Sequence, residues 1–318
     1  MQRKYEFVDG DTITLENGTI LKRIRAVITI PDHFDAGELG GYIEHEGNLS
    51  HHGKAWVSEN ANVYGKAIVQ DDASVSENAS VFDNATLSNN AHIGGWAMAF
   101  GNARLSDHAC AFGWAKIKDR ARLFGSCAVF GDSRVYRNAF ICGNASISGN
   151  AHVKGDAEIG GSAIITGYAT ILGAAKISGD PFITDNAVIY GDAEIECNPR
   201  IYGNANIGNK DMIFISIKSC AENSTMAVYK DFNDQIIVTS WKQLDPFSVE
   251  KYLAFAKNTN NKMIENRVKS LIEIAQANFD YYLNTHKASE SLEREMTEKF
   301  RFKKYSIGPM PVIVDFFN

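Results

Sequence analysis

The sequence predicts a mainly-β protein: a parallel β-helix of about nine 18-residue coils, with an N-terminal β-hairpin cap and a C-terminal α+β cap. From Ala55 to Ala205 a small residue recurs every six positions through 26 hexads, and Ala fills 22 of these slots. Two positions later, Val, Ile or Leu fills 24 of the 26 slots. A short fixed period of this kind is typical of a solenoid. It divides the chain into an N-terminal cap (1–54), a repeat (55–210) and a tail (211–318).

Each hexad predicts one short extended segment whose Ala and aliphatic side chain point inward. A Gly-Asn or Gly-Asp pair between hexads, as at 143–144 and 155–156, supplies a corner because these residues tolerate turn conformations. Three segments make one triangular coil. At a strand spacing of about 4.8 Å, the repeat forms a prism roughly 40 Å long.

The pattern resembles the hexapeptide repeat of left-handed parallel β-helix proteins, and the left hand is implied by that resemblance. The segment 37–53 of the N-terminal cap reads GELGGYIEHEGNLSHHG. It resembles the segment that opens uncharacterised bacterial and phage hexapeptide-repeat proteins, a group described as acyltransferase-like. The resemblance implies a phage gene as one source, in which case the protein would act in the host cytoplasm.

The two flanking regions change pattern. Thr12–Leu15 and Ile20–Ile30, separated by Asn17-Gly18, predict a hairpin that covers the open edge of the first coil. In the tail, 212–217, 226–229 and 235–241 predict strands. Asp245-Pro246 predicts the start of a helix through about Lys257, and helices over about 262–286 and 289–302 precede a last strand at 312–316.

Composition favours a cytoplasmic protein. The chain has 45% apolar and 22% charged residues, no run of 18 apolar residues, and no secretion signal among its first residues. Its five cysteines include no C-x-x-C pair, which disfavours structural zinc and a disulfide framework. We therefore expect no membrane partner and no metal.

Large aromatic side chains recur in outward columns. In one column, the residue that follows the aliphatic is aromatic in five coils: Tyr64, Phe82, Phe100, Tyr136 and Tyr190. Exposed apolar ladders usually mark an interface, so we expect this column to join three copies in a homotrimer, as in the resembled family. The alternative is that the rings only shield the surface of a monomer.

The middle coils are basic although the chain carries a net charge of −6. Residues 101–155 contain eight Lys and Arg but only three Asp. Two sets of these residues are spaced by 18 positions: Arg104 and Arg122, and Lys116, Arg134 and His152. Cations with interleaved aromatic rings can pair phosphates and stack bases. We therefore expect a site for an anionic, nucleotide-like ligand or an acidic host protein, formed by Trp96, Arg104, Trp114, Lys116, Arg122, Arg134, Tyr136 and His152. The alternative is a solvated basic face.

An enzymatic alternative also follows from the resemblance. Hexapeptide acyltransferases use a histidine base and acetyl-coenzyme A, and the candidates here are His108 and His152. Both lie in uninterrupted hexads. No recognition helix for double-stranded DNA is evident. The sequence thus favours a non-enzymatic homotrimeric binding or scaffold protein without a cofactor, with acyl transfer as the alternative.

Overall fold

A computed structural model describes residues 3–208, 213–216, 226–240 and 247–258, and within 262–279 residues 262, 266, 269–270, 272–277 and 279. The middle of the chain forms a parallel β-solenoid of about nine coils of 18 residues, which confirms the main prediction. Every coil adds one two-residue strand to each of three sheets. We call these sheets face 1, face 2 and face 3 in the order in which the chain enters them.

The strands of each face pair in register with residues 18 positions away. Face 1 comprises β4 (Trp56–Val57), β7 (Ser74–Val75), β10 (His92–Ile93), β13 (Cys110–Ala111), β16 (Ala128–Val129), β19 (Ser146–Ile147), β22 (Ile164–Ile165), β25 (Phe182–Ile183) and β28 (Arg200–Ile201). Face 2 comprises β5 (Asn62–Val63), β8 (Ser80–Val81), β11 (Met98–Ala99), β14 (Lys116–Ile117), β17 (Arg134–Val135), β20 (His152–Val153), β23 (Thr170–Ile171), β26 (Val188–Ile189) and β29 (Asn206–Ile207). Face 3 comprises β6 (Ile68–Val69), β9 (Thr86–Leu87), β12 (Arg104–Leu105), β15 (Arg122–Leu123), β18 (Phe140–Ile141), β21 (Glu158–Ile159), β24 (Lys176–Ile177) and β27 (Glu194–Ile195).

The repeat follows from the burial of its two inward positions. The Ala of the hexad and the aliphatic two residues later are fully buried throughout the prism, as at Ala145 and Ile147. Outward and inward side chains alternate along a strand, so the residues on either side of the aliphatic both lie on the outer surface of the same face.

The corners explain the glycine and aspartate content. The residue two places after the aliphatic has a positive φ at every corner from Glu59 to Gly203, whether or not it is glycine. Where it is Asp, its carboxylate accepts the backbone N–H of the matching corner one coil later, as Asp119 does from Arg137 at 3.0 Å. Asp tolerates this left-handed conformation better than most residues and also satisfies a neighbouring donor.

The N-terminal cap closes the first coil. β1 (Tyr5–Thr14) and β2 (Ile20–Ala26) form the expected antiparallel hairpin, and β3 (Leu39–Ile43) joins it to β5 of face 2. Gly41 permits a close approach, because a Cβ there would lie 2.5 Å from the carbonyl oxygen of Ala61. A 3₁₀ turn at Glu46–Asn48 follows, and the buried Asn48 amide donates to the carbonyls of Gly65 and Ala67 in the first coil.

The tail closes the last coil. β30 (Ile213–Ser216), β31 (Met226–Lys230), β32 (Ile236–Ser240) and β33 (Phe247–Ser248) form one antiparallel sheet, followed by α1 (Val249–Asn258). Tyr229 of β31 is fully buried, and its hydroxyl accepts the N–H of Tyr202 at 2.9 Å. Thr239 of β32 donates its hydroxyl to the carbonyl of Arg200. The open edge of the last coil therefore finds hydrogen-bond partners in the tail.

The helices of the tail differ in part from expectation. α1 begins at Val249 rather than after Asp245, because Phe247–Ser248 pairs with Ile237–Val238 as a strand and the Ser248 hydroxyl accepts the N–H of Lys251. Helical residues at 272–277 and 279 agree with the second predicted helix. The predicted helix at 289–302 and strand at 312–316 lie outside the described residues.

Candidate functional site

Six side chains on the middle coils of face 2 form a compact array, two from each of three successive strands. We call this array the basic grid. It consists of Lys116 and Lys118, Arg134 and Tyr136, and His152 and Lys154. The first residue of each pair lies in register with the next, since Lys116 pairs with Arg134 and Arg134 pairs with His152.

Tyr136 lies at the centre of the second column of the grid. The ammonium of Lys118 lies 5.2 Å from the centroid of its ring, and that of Lys154 lies 6.0 Å away on the neighbouring coil. The ring of His152 meets Tyr136 edge-on at 6.4 Å. Cation–π contacts of this kind hold the two lysines on either side of the ring.

The positive charge of the grid has little internal compensation. Arg134 has an acidic neighbour, Asp132, at 3.8 Å, which is long for an ion pair. Lys116 and Lys118 make no ion pair with any residue that the structure describes. The Nε of Arg134 is buried and lacks a hydrogen-bond partner. Like charges on neighbouring strands repel, so an anion between them would remove an unfavourable interaction.

Burial and mutual repulsion also lower two pKa values in the grid. Burial, then the charge of Arg137, lowers the pKa of Lys154 to about 8. Burial, then the charges of Arg134 and Lys154, lowers the pKa of His152, and Asp132 opposes the shift. A bound anion would favour the protonated form of both groups.

Trp96 and Trp114 lie at the corner between face 1 and face 2, next to the grid. Their rings stack at 5.4 Å with an interplanar angle of 6°, and both are at least half exposed. Only the buried Ala115 separates Trp114 from Lys116 along the chain. An aromatic surface and a cationic surface therefore adjoin, as the sequence predicted for Trp96, Trp114, Lys116, Arg134, Tyr136 and His152.

Arg104 and Arg122 do not belong to this site. They pair with each other on face 3, and the Arg122 guanidinium lies 4.9 Å from the ring centroid of Phe140 on that face. Of the residues predicted for the ligand site, the structure therefore does not bring these two arginines together with Lys116 and Arg134, which lie on face 2. Spacing of 12 residues, as from Arg104 to Lys116, is two hexads and moves a side chain to another face, a signal already present in the sequence.

The grid instead gains two residues that the sequence-based site did not include, Lys118 and Lys154. Each follows the aliphatic of a strand whose first residue, Lys116 or His152, was part of that prediction. A rule that takes both outward positions of each hexad would have found them.

The predicted aromatic ladder is only partly an exposed surface. Tyr64, Phe82 and Phe100 stack in parallel at 4.9 and 4.8 Å and are half-buried against each other. Tyr136 is separated from them by Lys118. Tyr190 is 8% exposed because Gly208 packs directly on its ring, so this end of the column offers no surface to a second copy.

The histidines proposed as bases lie in different environments. His108 is exposed at the corner between face 3 and face 1, where it lines a shallow depression with Asp71, Asp72 and Asp107. His152 lies in the basic grid. The remaining histidine of the central coils, His92, forms a 2.6 Å hydrogen bond with the hydroxyl of Ser74.

No protein-family model matches this chain, and no curated protein matches it. Over the described ranges, no group of three or more His, Cys, Asp or Glu side chains could hold a metal ion. None of the helices that the structure describes has the length and apolar character needed to cross a membrane.

Proposed function

We propose that this protein is a non-catalytic binding or scaffold protein whose basic grid holds an anionic, nucleotide-like ligand. The observation that carries the proposal is the register of Lys116 with Arg134 on neighbouring strands. Among the described residues, the acidic group that pairs with either cation is Asp132, whose carboxylate lies 3.8 Å from the Arg134 guanidinium, so most of the positive charge is left uncompensated. Adjacent strands lie about 4.8 Å apart, a separation at which one phosphate can accept hydrogen bonds from both cations.

The Trp pair extends the ligand class from a simple anion to a phosphorylated aromatic compound. Trp114 is 57% exposed and precedes Lys116 by two residues. A base stacked on an indole contributes about 1–3 kcal/mol with little preference for its identity. A nucleotide would place its phosphates on the grid and its base on the corner. The expected homotrimer stays an untested prediction.

Calorimetric titration with adenosine triphosphate, guanosine triphosphate and tripolyphosphate tests the proposal. We expect both nucleotides to bind more tightly than tripolyphosphate, because only nucleotides can use Trp114. The double variant Lys116→Gln/Arg134→Gln should weaken binding at least tenfold. The matched control is Arg104→Gln/Arg122→Gln, which removes the same charge from the arginine pair of face 3.

The outcomes separate a site from a general charge effect. The proposal is contradicted if the two double variants weaken nucleotide binding equally. It is also contradicted if the wild-type protein binds none of the three compounds. Binding of polyglutamate but of neither nucleotide would favour the acidic-protein ligand instead. Turnover of acetyl-coenzyme A that is lost in His108→Ala or His152→Ala would favour the acyltransferase alternative.

A further inference from the structure

Face 1 differs from the other two faces in having an uncharged outer surface over eight of its nine strands. From Trp56 to Thr184 the first eight strands present sixteen outward positions, and none is Asp, Glu, Lys or Arg, whereas the ninth strand carries Arg200. The eight coils of face 2 from Asn62 to Tyr190 carry four Lys or Arg, and the eight strands of face 3 carry six charged residues. Depletion of charge is characteristic of the centre of a protein–protein interface.

Face 1 also carries exposed apolar side chains at its centre. Phe112, Phe130 and Ile164 are 36%, 41% and 42% exposed, and Trp114 borders them at the corner. The ends of the face are covered by the chain itself, because Phe34 of the N-terminal cap stacks on Trp56 at 4.2 Å and Thr239 of the tail bonds to Arg200. Among the described residues, no other segment of the chain covers the strands of face 1 between these two ends.

We infer that face 1 is the docking surface for a second copy of this chain, in a dimer that would replace the homotrimer expected from the sequence. A flat, uncharged sheet offers an ionic partner nothing to pair with, whereas an identical sheet matches it in polarity and in shape. The open part, from β7 to β25, is about 35 Å long at the spacing of parallel strands. With a width of about 15 Å it gives roughly 1,000 Å² for two copies, the lower limit for a specific interface.

The order of side chains along face 1 selects one arrangement of the two copies. In four of the coils one outward residue is large and the other small, and in the coil between them both outward residues, Ser146 and Ser148, are small. The four unequal pairs are Cys110 with Phe112, Ala128 with Phe130, Ile164 with Thr166, and Phe182 with Thr184.

A two-fold axis parallel to the prism axis brings the first outward column of one copy opposite the second column of the other, at the same coil. Phe130 of each copy then faces the partner copy's small Ala128, and the large residues fill the gap of about 10 Å between stacked sheets. A two-fold axis perpendicular to the prism axis, passing between the coils of Phe112 and Phe130, would instead place Phe112 of one copy opposite Phe130 of the other. The parallel dimer is thus the better packed of the two.

Native mass spectrometry and sedimentation equilibrium test this inference. We expect a mass twice that of the 35.0 kDa chain. Ala128→Glu places a charge at the centre of face 1 on a half-buried outward position, and should give a folded monomer with an unchanged circular-dichroism spectrum. The control Thr86→Glu adds the same charge at the equivalent hexad position of face 3 and should stay dimeric.

A size swap tests the arrangement itself. Ala128→Phe sets two large residues opposite each other and should weaken the dimer at least tenfold, and Ala128→Phe/Phe130→Ala should restore it. A monomeric or trimeric wild-type protein, or a dimer that survives Ala128→Glu, overturns the inference. If Ala128→Phe/Phe130→Ala does not regain the dimer affinity of the wild type, the parallel arrangement is wrong. Nucleotide binding by the Ala128→Glu monomer would show that the grid acts independently of this contact.

Discussion

The ammonium of Lys4 donates a hydrogen bond to the carbonyl oxygen of Ala55 at 2.6 Å, joining the N-terminal cap to the first alanine of the repeat. Lys4 is completely buried, and burial lowers its pKa from 10.5 to about 8, although Asp72 opposes the shift. The imidazole of His51 accepts a hydrogen bond from the backbone N–H of Lys4 and stacks on the ring of Tyr5. The junction is therefore sensitive to the protonation of one side chain.

The contribution of Lys4 to stability should rise with pH between about 8 and 10.5. In this window the unfolded chain holds the Lys4 proton and the folded chain has released it, so raising the pH favours folding. Below pH 8 both states are protonated and the full penalty, roughly 3 kcal/mol, is present. Urea unfolding of the wild type and of Lys4→Met at pH 7.5 and 9.5 measures the contribution.

The two proteins must be compared at each pH, because other groups titrate in the same range. Burial raises the pKa of the Cys127 thiol to about 12, so this group favours unfolding as the pH rises. We expect Lys4→Met to be the more stable protein at pH 7.5 and its advantage to shrink at pH 9.5. An advantage that is constant or grows with pH would contradict a lowered Lys4 pKa.

Overpacking of an alanine corner should destabilise the prism. Ala145 is fully buried where the chain turns into face 1. Ala145→Leu is expected to cost about 1–3 kcal/mol because the extra methylenes have no space. Asn144→Leu, one residue earlier at an exposed position, is the control. Equal unfolding free energies for the two variants would argue against the assignment of Ala145 to the core.

Two corner glycines separate backbone strain from steric clash. Gly161 and Gly203 both have φ +65°, but a Cβ at Gly161 would lie 2.1 Å from the carbonyl oxygen of Gly179, whereas a Cβ at Gly203 meets nothing within 4 Å. Gly203→Ala should cost about 1–2 kcal/mol, from the left-handed conformation alone. Gly161→Ala should cost clearly more. Thermal unfolding of the two variants measures the difference, and the reverse order would refute the stacked-corner geometry.

Arg137 should be a point of strain. It has φ 61° without a glycine's freedom, and its N–H bond to Asp119 does not depend on its side chain. We expect Arg137→Gly to stabilise the protein by about 1 kcal/mol. Because the Arg137 charge lowers the pKa of Lys154, the same change should raise that pKa. Urea unfolding and NMR titration of the lysine check the two effects, and a destabilised variant with an unshifted Lys154 would disprove both.

Stacking on Trp114 should appear in nucleotide affinity. Trp114→Ala is expected to raise the dissociation constant for a nucleotide about tenfold, since a stacked base contributes about 1–3 kcal/mol. Affinity for tripolyphosphate should stay unchanged. Tyr168→Ala, which removes an exposed ring from the same corner three coils away, is the control. Competition measurements with a fluorescent nucleotide give both constants, and equal effects on nucleotide and tripolyphosphate would speak against stacking.

Most of the solenoid could be predicted from the hexads because its contacts are local and periodic. Residues 18 positions apart become neighbours, so the pairing of Arg104 with Arg122 and of Lys116 with Arg134 follows directly from their spacing. The candidate site was harder to predict, because a site requires several columns to be placed on common faces. Columns followed one at a time do not show that Arg104 and Arg122 lie on face 3 while Lys116 and Arg134 lie on face 2.

By itself, the sequence determined the coil, its register and the division of side chains into buried and outward sets, since a period of six leaves each hexad only one way to bury its Ala and aliphatic. Tertiary structure decided which outward side chains stay accessible. Phe34 of the N-terminal cap covers Trp56, and Tyr229 and Thr239 of the tail hydrogen-bond to the backbone of the last coil, whereas Phe112 and Phe130 remain open. These covering segments come from outside the hexads, and no periodicity within the repeat specifies where they pack.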